Sequence, residues 1–450
     1  MFRAGTMERS KPVMTLLPEM TAKLASATRP AFAGPLPLPA ESQLKACRAC
    51  GDIQSLPSPK TGHDRKCRRC GETFGTGFVH IELALPVLTA LLIAFVTVLA
   101  LPLLTIELQG QHADADLATG VWGFFHYGMW PMAMFTFACI LFAPLGRVVT
   151  LLIVLAGVYA RERPKHLAKI YRFSETLRPW CMLDVFLVGA LIAMTKLRDL
   201  VRVEMAPGLW VLVGLVWTLA LFDSIFDRHR LWDFIEPPRE VPQHIDPADA
   251  VSCLHCNLLQ DVDRDAPPDT EAHCRRCDAP LHRRRPNSVQ LTWALVISAA
   301  ILYIPANLYP VFTIVSFGRR NTSTIIGGVR QLLTGSDWPL AIIIFVASIV
   351  VPLIKLLGLA WLLLAVRRPS ARNLHANTRL HRMIEVIGRW SATDVFVAAL
   401  LSGLVTLDNL ATVEPGLGVL AFGAVVFLTM VATMTFDQRL LWDAAGTGNE

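Results

Sequence analysis

The sequence predicts an all-α polytopic membrane protein. It consists of two tandem four-helix transmembrane repeats, about eight helices in all, each preceded by a small four-Cys, rubredoxin-like zinc-ribbon module. Three observations carry this prediction: apolar blocks of membrane length, duplicated CxxC pairs, and landmark residues that recur at a nearly fixed offset. The 450 residues are 53% hydrophobic and 17% charged, whereas a soluble domain is roughly a quarter charged. Apolar runs of about 18 or more residues are the signature of transmembrane helices. The net charge of +6 arises from basic residues gathered between the apolar blocks. That is the pattern of the positive-inside rule, not of nucleic-acid binding.

The chain divides in order. Residues 1–44 form a tail expected to be disordered, with no signal-peptide core and a Pro-rich stretch from Arg29 to Pro39. Residues 45–78 hold the first ribbon and 79–232 the first transmembrane repeat. Residues 233–287 hold a linker and the second ribbon, 288–443 the second repeat, and 444–450 a short tail. The expected helices cover about 81–106, 130–159, 180–200 and 209–226, then 290–314, 338–366, 390–408 and 416–436. Pro144 and Pro352 interrupt long helices and should kink them, since each lacks a backbone donor. Segments 119–128 and 324–335 read as short amphipathic pieces, each ahead of a Trp-Pro entry, Trp130-Pro131 and Trp338-Pro339, suited to an interfacial aromatic belt.

The repeat is legible in residues that chance apolar similarity does not match. Pro144-Leu-Gly-Arg147 aligns with Pro352-Leu-Ile-Lys355, and Trp180, Asp184 and Phe186 align with Trp390, Asp394 and Phe396. Pro207-Gly208-Leu209 aligns with Pro415-Gly416-Leu417, and Leu231-Trp232-Asp233 with Leu441-Trp442-Asp443, at offsets of 208–210. Intervals 161–178 and 367–389 are rich in Arg and Lys, whereas 107–128 and 407–415 contain none. Charge therefore places both ribbons and both termini in the cytoplasm. An even number of helices per repeat gives both repeats the same topology, related by an axis along the membrane normal.

Cys47, Cys50, Cys67 and Cys70 form one candidate site, and Cys253, Cys256, Cys274 and Cys277 the other. Thiolates are soft ligands suited to tetrahedral zinc, and the CxxC turn brings two of them to one ion. The residue after each second Cys favours a left-handed backbone; here these residues are Gly51, Gly71, Asn257 and Asp278. Disulfides are disfavoured in a reducing cytoplasm, but iron in a rubredoxin-like site would use the same ligands. His255 and His273 read as solvent-facing, and Cys139 and Cys181 as small buried hydrophobes. Arg147 is expected to pair with Asp184, and Lys355 with Asp394; the plainer alternative is that all four snorkel to the interface. Neither a Walker A motif nor GxSxG, HExxH or a Rossmann fingerprint is present, so no catalytic constellation is evident and a non-enzyme is expected.

The paired ribbons resemble the paraquat-inducible protein A family. So do Ile304-Pro-Ala-Asn-Leu-Tyr followed by Pro310-Val-Phe-Thr, Ile325-Ile-Gly-Gly-Val, Trp338-Pro-Leu-Ala, and Gly388-Arg-Trp-Ser-Ala-Thr-Asp-Val-Phe. The resemblance covers about residues 45–443. It implies an inner-membrane subunit of an intermembrane phospholipid transport system that works with a periplasmic MCE-domain tunnel protein, with the eight Cys as zinc ligands. Repeat 1 departs from the pattern: Ala100-Leu-Pro-Leu-Leu stands where repeat 2 has Asn307-Leu-Tyr-Pro-Val, so a polar site at Asn307 would belong to one half only. Two other readings stay open. One is electron transfer through two rubredoxin-like irons, and the other is a scaffold whose ribbons recruit a cytoplasmic partner.

Overall fold

A computed structural model of the chain describes residues 42–57, 66–74, 81–108, 111–160, 166–197, 202–226, 228–236, 250–262, 272–316, 319–334, 338–368, 373–404, 406–407 and 411–445. Most of the expected tail, 1–41, lies outside these residues. Its last three positions, 42–44, do not belong to a disordered tail, because the strand β1 (Ser42–Ala46) starts there and pairs antiparallel with β2 (Ile53–Pro57).

In the first half, α1 (Ile81–Ala100) is about 30 Å long at 1.5 Å per residue. It leads from the Cys module to a three-stranded sheet on the far side, β3 (Leu104–Leu108), β4 (Gln111–Ala115) and β5 (Arg202–Met205), in the order β4-β3-β5. The short α2 (Thr119–His126) follows, then α3 (Trp130–Phe137) and α4 (Ala143–Tyr159), which return to the module side. α5 (Leu167–Leu177) stays on the module side, α6 (Leu183–Leu197) leads away again, and α7 (Pro207–Ile225) and α8 (Arg228–Ile235) close the half. The second module contributes β6 (Ala250–Ser252) and β7 (Leu259–Asp261).

The second half holds α9 (Ser288–Leu308), β8 (Phe312–Ser316), β9 (Arg319–Ser323), α10 (Ile325–Thr334), α11 (Trp338–Phe345) and α12 (Val351–Arg367). α13 (Leu374–Gly388), α14 (Thr393–Leu404), β10 (Thr406–Leu407), β11 (Ala411–Pro415), α15 (Leu417–Thr435) and α16 (Arg439–Ala444) complete it. Its far sheet has the order β10-β11-β8-β9.

Among the described residues, seven helical stretches are long and apolar enough to cross a membrane. Their outward faces carry Ile93, Trp217, Ile301, Leu357 and other exposed large apolar side chains, as lipid contact requires. The chain is a multi-pass membrane protein. The expected span at 390–408 is not a single apolar helix. α14 has 12 residues, about 18 Å of helix against the roughly 30 Å of a hydrocarbon core. The polar-faced α13 precedes it, joined through a 3-10 turn at Arg389–Ala392. α5 likewise folds within the basic interval 161–178, burying Leu167, Ala168, Tyr171, Ser174 and Leu177 on one face.

The all-α expectation is also corrected. Residues 104–106 and 312–314, read as helix ends, are strands. Pro102 and Pro310 stop the helices, and the β-branched residues that follow pair across the far sheets. Hydrogen bonds also correct one register of the repeat. Ala206 N–H donates to Leu103 O at 3.2 Å and Gly208 N–H to Pro102 O at 3.0 Å. Gly416 N–H donates to Val311 O at 2.8 Å and Gly418 N–H to Pro310 O at 3.1 Å. Gly208 therefore corresponds to Gly418, not Gly416. The glycine is needed: a Cβ on Gly208 would lie 2.4 Å from Pro102 O, and one on Gly418 2.8 Å from Pro310 O.

The prolines in the long helices act through π-helical turns, Ala138–Phe142 ahead of Pro144 and Val346–Val350 ahead of Pro352. The wider turn removes the clash of a proline ring with the carbonyl four residues back and frees carbonyls for other donors. Cys139 O accepts Met182 N–H at 3.3 Å, and Ile349 O accepts the Tyr303 hydroxyl at 3.3 Å.

The halves join along α6 and α14. Phe186 meets Phe396 edge to face at 6.0 Å, so residues 210 apart touch each other, as two-fold contacts do. α2 lies across α14 through glycines. A Cβ on Gly123 would sit 2.6 Å from Gly403 N, and one on Gly403 2.3 Å from Thr119 O. Small residues let membrane helices approach this closely. Gly123→Val is expected to lower the melting temperature and the monodisperse yield in detergent, since overpacking costs about 1–3 kcal/mol. Gly214→Ala, where a Cβ meets nothing within 4 Å, leaves both unchanged. Equal behaviour of the two variants contradicts this packing.

Candidate metal centres and the cavity between the halves

Each Cys module is two knuckles. In the first, Cys47 Sγ lies 3.5 Å from Cys70 Sγ, and Cys50 Sγ lies 3.6 Å from Cys67 Sγ. In the second, the Cys253–Cys277 and Cys256–Cys274 separations are both 3.5 Å. Within each set, all four sulfurs lie within 4.8 Å of one another, and all are buried. A tetrahedron of about 2.3 Å metal–sulfur bonds has edges of roughly 3.8 Å, so both sets fit one ion each. The knuckles close as the spacing predicts: Gly51, Gly71, Asn257 and Asp278 have φ of 78°, 72°, 58° and 56°. Each donates its N–H to the carbonyl of the first Cys of its knuckle, at 2.9–3.0 Å. Gln260 adds a donor the sequence reading missed. Its Nε2 lies 3.0 Å from Cys274 Sγ, and its Oε1 accepts Arg275 N–H at 3.1 Å. His255 and His273 are exposed and take no part in either sulfur cluster.

The modules dock crosswise. The first packs on the second half: Arg69 lies over the Trp442 ring at 5.0 Å, and Glu72 pairs with Arg382 on α13. The second packs on the first half: Arg276 reaches Asp233 at 2.8 Å, and Arg172 on α5 donates to Cys277 O at 3.3 Å. Arg69 and Arg276 each precede the last Cys of their module, and each lands on the opposite half's Leu-Trp-Asp motif. The duplicated motif is thus a docking platform. Trp232 also packs on Tyr171 with the rings tilted and their centroids 4.7 Å apart, whereas Trp442 donates to Thr378 Oγ1 at 3.1 Å. The modules also touch each other, where Arg48 Nη2 donates to His255 O at 2.9 Å.

Charge at these contacts is graded by burial. Arg276 is 6% exposed in its pair, so that pair outweighs Lys169–Asp278 at 2.8 Å, where both side chains are over half exposed. The Lys169 ammonium holds the Asp278 carboxyl below its usual range. Burial raises the Glu72 carboxyl above its usual range, against the opposing pull of Arg382. At the end of α15, burial pushes the Asp437 carboxyl up, but Arg439 and backbone donors prevail and hold it low.

A cavity of about 490 Å³ opens between the halves, walled by α4, α6, α7, α12, α13 and α15 and by the 3-10 turns Arg178–Trp180 and Arg389–Ala392. Its charged lining comprises Arg147, Arg178, Asp184, Asp223, Lys355, Glu385 and Arg389, and its apolar lining includes Val216, Leu219 and Met430. The expected partners are corrected here. Arg147 pairs with Asp223, donating from Nη1 to Oδ2 at 3.0 Å, and Arg178 Nε stands 3.7 Å from the same carboxylate. Asp184 only lines the cavity. Sequence reading missed Asp223, although a carboxylate inside the apolar segment 209–226 is the signal that marks such a residue. Lys355, 1% exposed, donates to Gly388 O at 3.1 Å and Ser391 Oγ at 3.4 Å. Among the described residues it forms no ion pair with Asp394. That carboxylate lines a separate cavity of about 70 Å³ with Ser348, Thr324 and Ser323. Asn307 donates to Tyr303 O of its own helix at 2.9 Å and lines neither cavity. Cys139 and Cys181 are buried apart from the metal clusters.

The fold and site define a multi-pass membrane protein with two four-thiolate centres, each able to hold a metal ion, and a polar cavity between its halves. The family model described as "Paraquat-inducible protein A" matches residues 81–236 and 289–446, and the chain belongs to that family. It is 33% identical over 348 residues, 77% of this chain and 79% of the relative, to "Lipophilic envelope-spanning tunnel protein A" of Escherichia coli (strain K12). It is 34% identical over 313 residues, 68% of this chain and 73% of the relative, to "Intermembrane transport protein PqiA" of the same organism. A "Probable intermembrane transport protein" of Haemophilus influenzae is 28% identical over 345 residues, 76% of this chain and 81% of the relative. No solved structure matches the chain.

Elemental analysis of the purified protein is expected to find about two metal equivalents per chain, one for each thiolate set. Cys274→Ser is expected to remove one equivalent and lower the melting temperature, because the freed module also undocks from Asp233 and Arg172. Two retained equivalents contradict the assignment.

Proposed function

We propose that the chain is an inner-membrane subunit of an intermembrane lipid transport system, working with a periplasmic MCE-domain tunnel protein. The observation that carries this reading is a cavity between two membrane halves, lined by both charged and apolar side chains, in a chain whose relatives are named for intermembrane transport. Charged and apolar lining together suit an amphiphile. The halves act as tandem repeats of like topology, with the far sheets in the periplasm facing the tunnel. Both thiolate centres hold zinc on the cytoplasmic side. The collection of Arg and Lys around them supports that orientation. A closed set of four thiolates leaves no open metal position, so zinc serves structure and not hydrolysis, in keeping with a transporter that is not an enzyme. Asp184, Asp394, Arg147 and Lys355 are the groups through which a proton gradient would couple to transport. Asn307, bonded to its own helix, has a structural place in this scheme.

The test is purification of the tagged chain from gently solubilised native membranes, with mass spectrometry of what accompanies it. An MCE-domain protein and phospholipid are the expected companions. Recovery of redox partners with an iron-loaded, red protein overturns the reading.

A further inference from the structure

We propose that the second-half wall of the cavity binds the phosphate of a phospholipid headgroup, with Lys355 and Arg389 as its cations and the place beside Thr433 as the seat of the anion. This deepens the transport reading and rests on it for the identity of the amphiphile. The argument is a comparison of the two walls. In the first half Arg147 and Arg178 share Asp223, so the wall supplies its own anion. Offsets of 208 and 210 place Lys355 at the position of Arg147 and Thr433 at that of Asp223. The second wall therefore keeps a cation and lacks the carboxylate. Thr433 turns its hydroxyl to Thr429 O at 2.8 Å, inside its own helix.

Lys355 is 1% exposed and lines the cavity, and its two bonds go to neutral oxygens. Gly388 makes room for it, since a Cβ there would lie 3.3 Å from Nζ. Arg389, on the next residue, also lines the cavity and forms no ion pair among the described residues. Glu385 and Asp184 are the other carboxylates of the lining, and neither comes within ion-pair distance of Lys355 or Arg389. A buried cation without an anion is costly, and a bound phosphate supplies one. The cavity volume of about 490 Å³ lies within the roughly 300–1,000 Å³ of ligand pockets. Val216, Leu219, Ala220, Met430 and Met434 continue the lining with apolar surface, as the chains of a lipid require.

The experiment uses the full-length chain, delipidated in detergent, with native mass spectrometry of added ligands. Phosphatidylethanolamine, diacylglycerol with the same acyl chains, and inorganic phosphate are the probes. The wild type is expected to bind phosphatidylethanolamine at least tenfold more tightly than diacylglycerol, and inorganic phosphate is expected to compete only weakly. Thr433→Asp is expected to abolish the preference and to raise the melting temperature of the delipidated protein, because it builds the missing ion pair. If Thr433→Asp does not fold, Arg389→Gln is measured in its place, with a smaller preference expected. An unchanged preference in the variant overturns the proposal. So does equal binding of diacylglycerol, or protection by inorganic phosphate as strong as that by the lipid, which would mark a site for a free anion. No partner or second membrane enters these measurements, so failure of the transport reading leaves a distinct result.

Discussion

Burial of cations inside a membrane bundle is the constraint on which this structure turns. A guanidinium or ammonium taken out of water must find an anion or strong acceptors close by. The first half meets this at Arg147 with Asp223, and Arg178 stands 3.7 Å from the same carboxylate. The second half meets it at Lys355 with only a backbone carbonyl and a serine hydroxyl. The recurring sequence landmarks make the difference visible, because Lys355 falls at the position of Arg147 and Thr433 at that of Asp223. The cavity lies where the two solutions face each other.

The rest of the fold holds that meeting place in register. Glycines at 120, 123 and 403 bring α2 against α14 at backbone distance, and Phe186 against Phe396 fixes the central helices. On one side, the far sheets tie α1 to α7 and α9 to α15 through bonds to carbonyls of Pro102, Leu103, Pro310 and Val311. On the other, each thiolate module clamps the half it does not precede, through Arg69 on Trp442 and Arg276 on Asp233. A metal in either module therefore stabilises contacts between halves as well as its own knuckles.

Much of this was legible in the residues. Eight cysteines at CxxC spacing, each knuckle followed by Gly, Asn or Asp, specified the knuckles down to their left-handed backbones. Apolar length located most of the membrane helices. Helix ends were less legible, because Leu104–Leu108 and Phe312–Ser316 open on apolar residues that continue the apolar runs before them; the prolines and β-branched residues are what mark the change. The ion pair was missed for a different reason. Asp184 and Asp394 recur in both halves and drew the pairing, whereas the true partner, Asp223, has no counterpart carboxylate and so left no mark in the repeat. Crosswise docking is a tertiary choice between two platforms with similar motifs, and local sequence does not encode it.

The claim that the first half supplies its own anion to Arg147 is tested most directly by a double-mutant cycle on Arg147 and Asp223, with thermal or denaturant unfolding in lipid nanodiscs. Arg147→Met and Asp223→Asn each leave a buried charge or its acceptor unmatched, and each is expected to destabilise the protein by about 3 kcal/mol. The double variant is expected to recover most of that loss, because the groups share one interaction. Losses that simply add would contradict the account, for the two residues would then not neutralise each other.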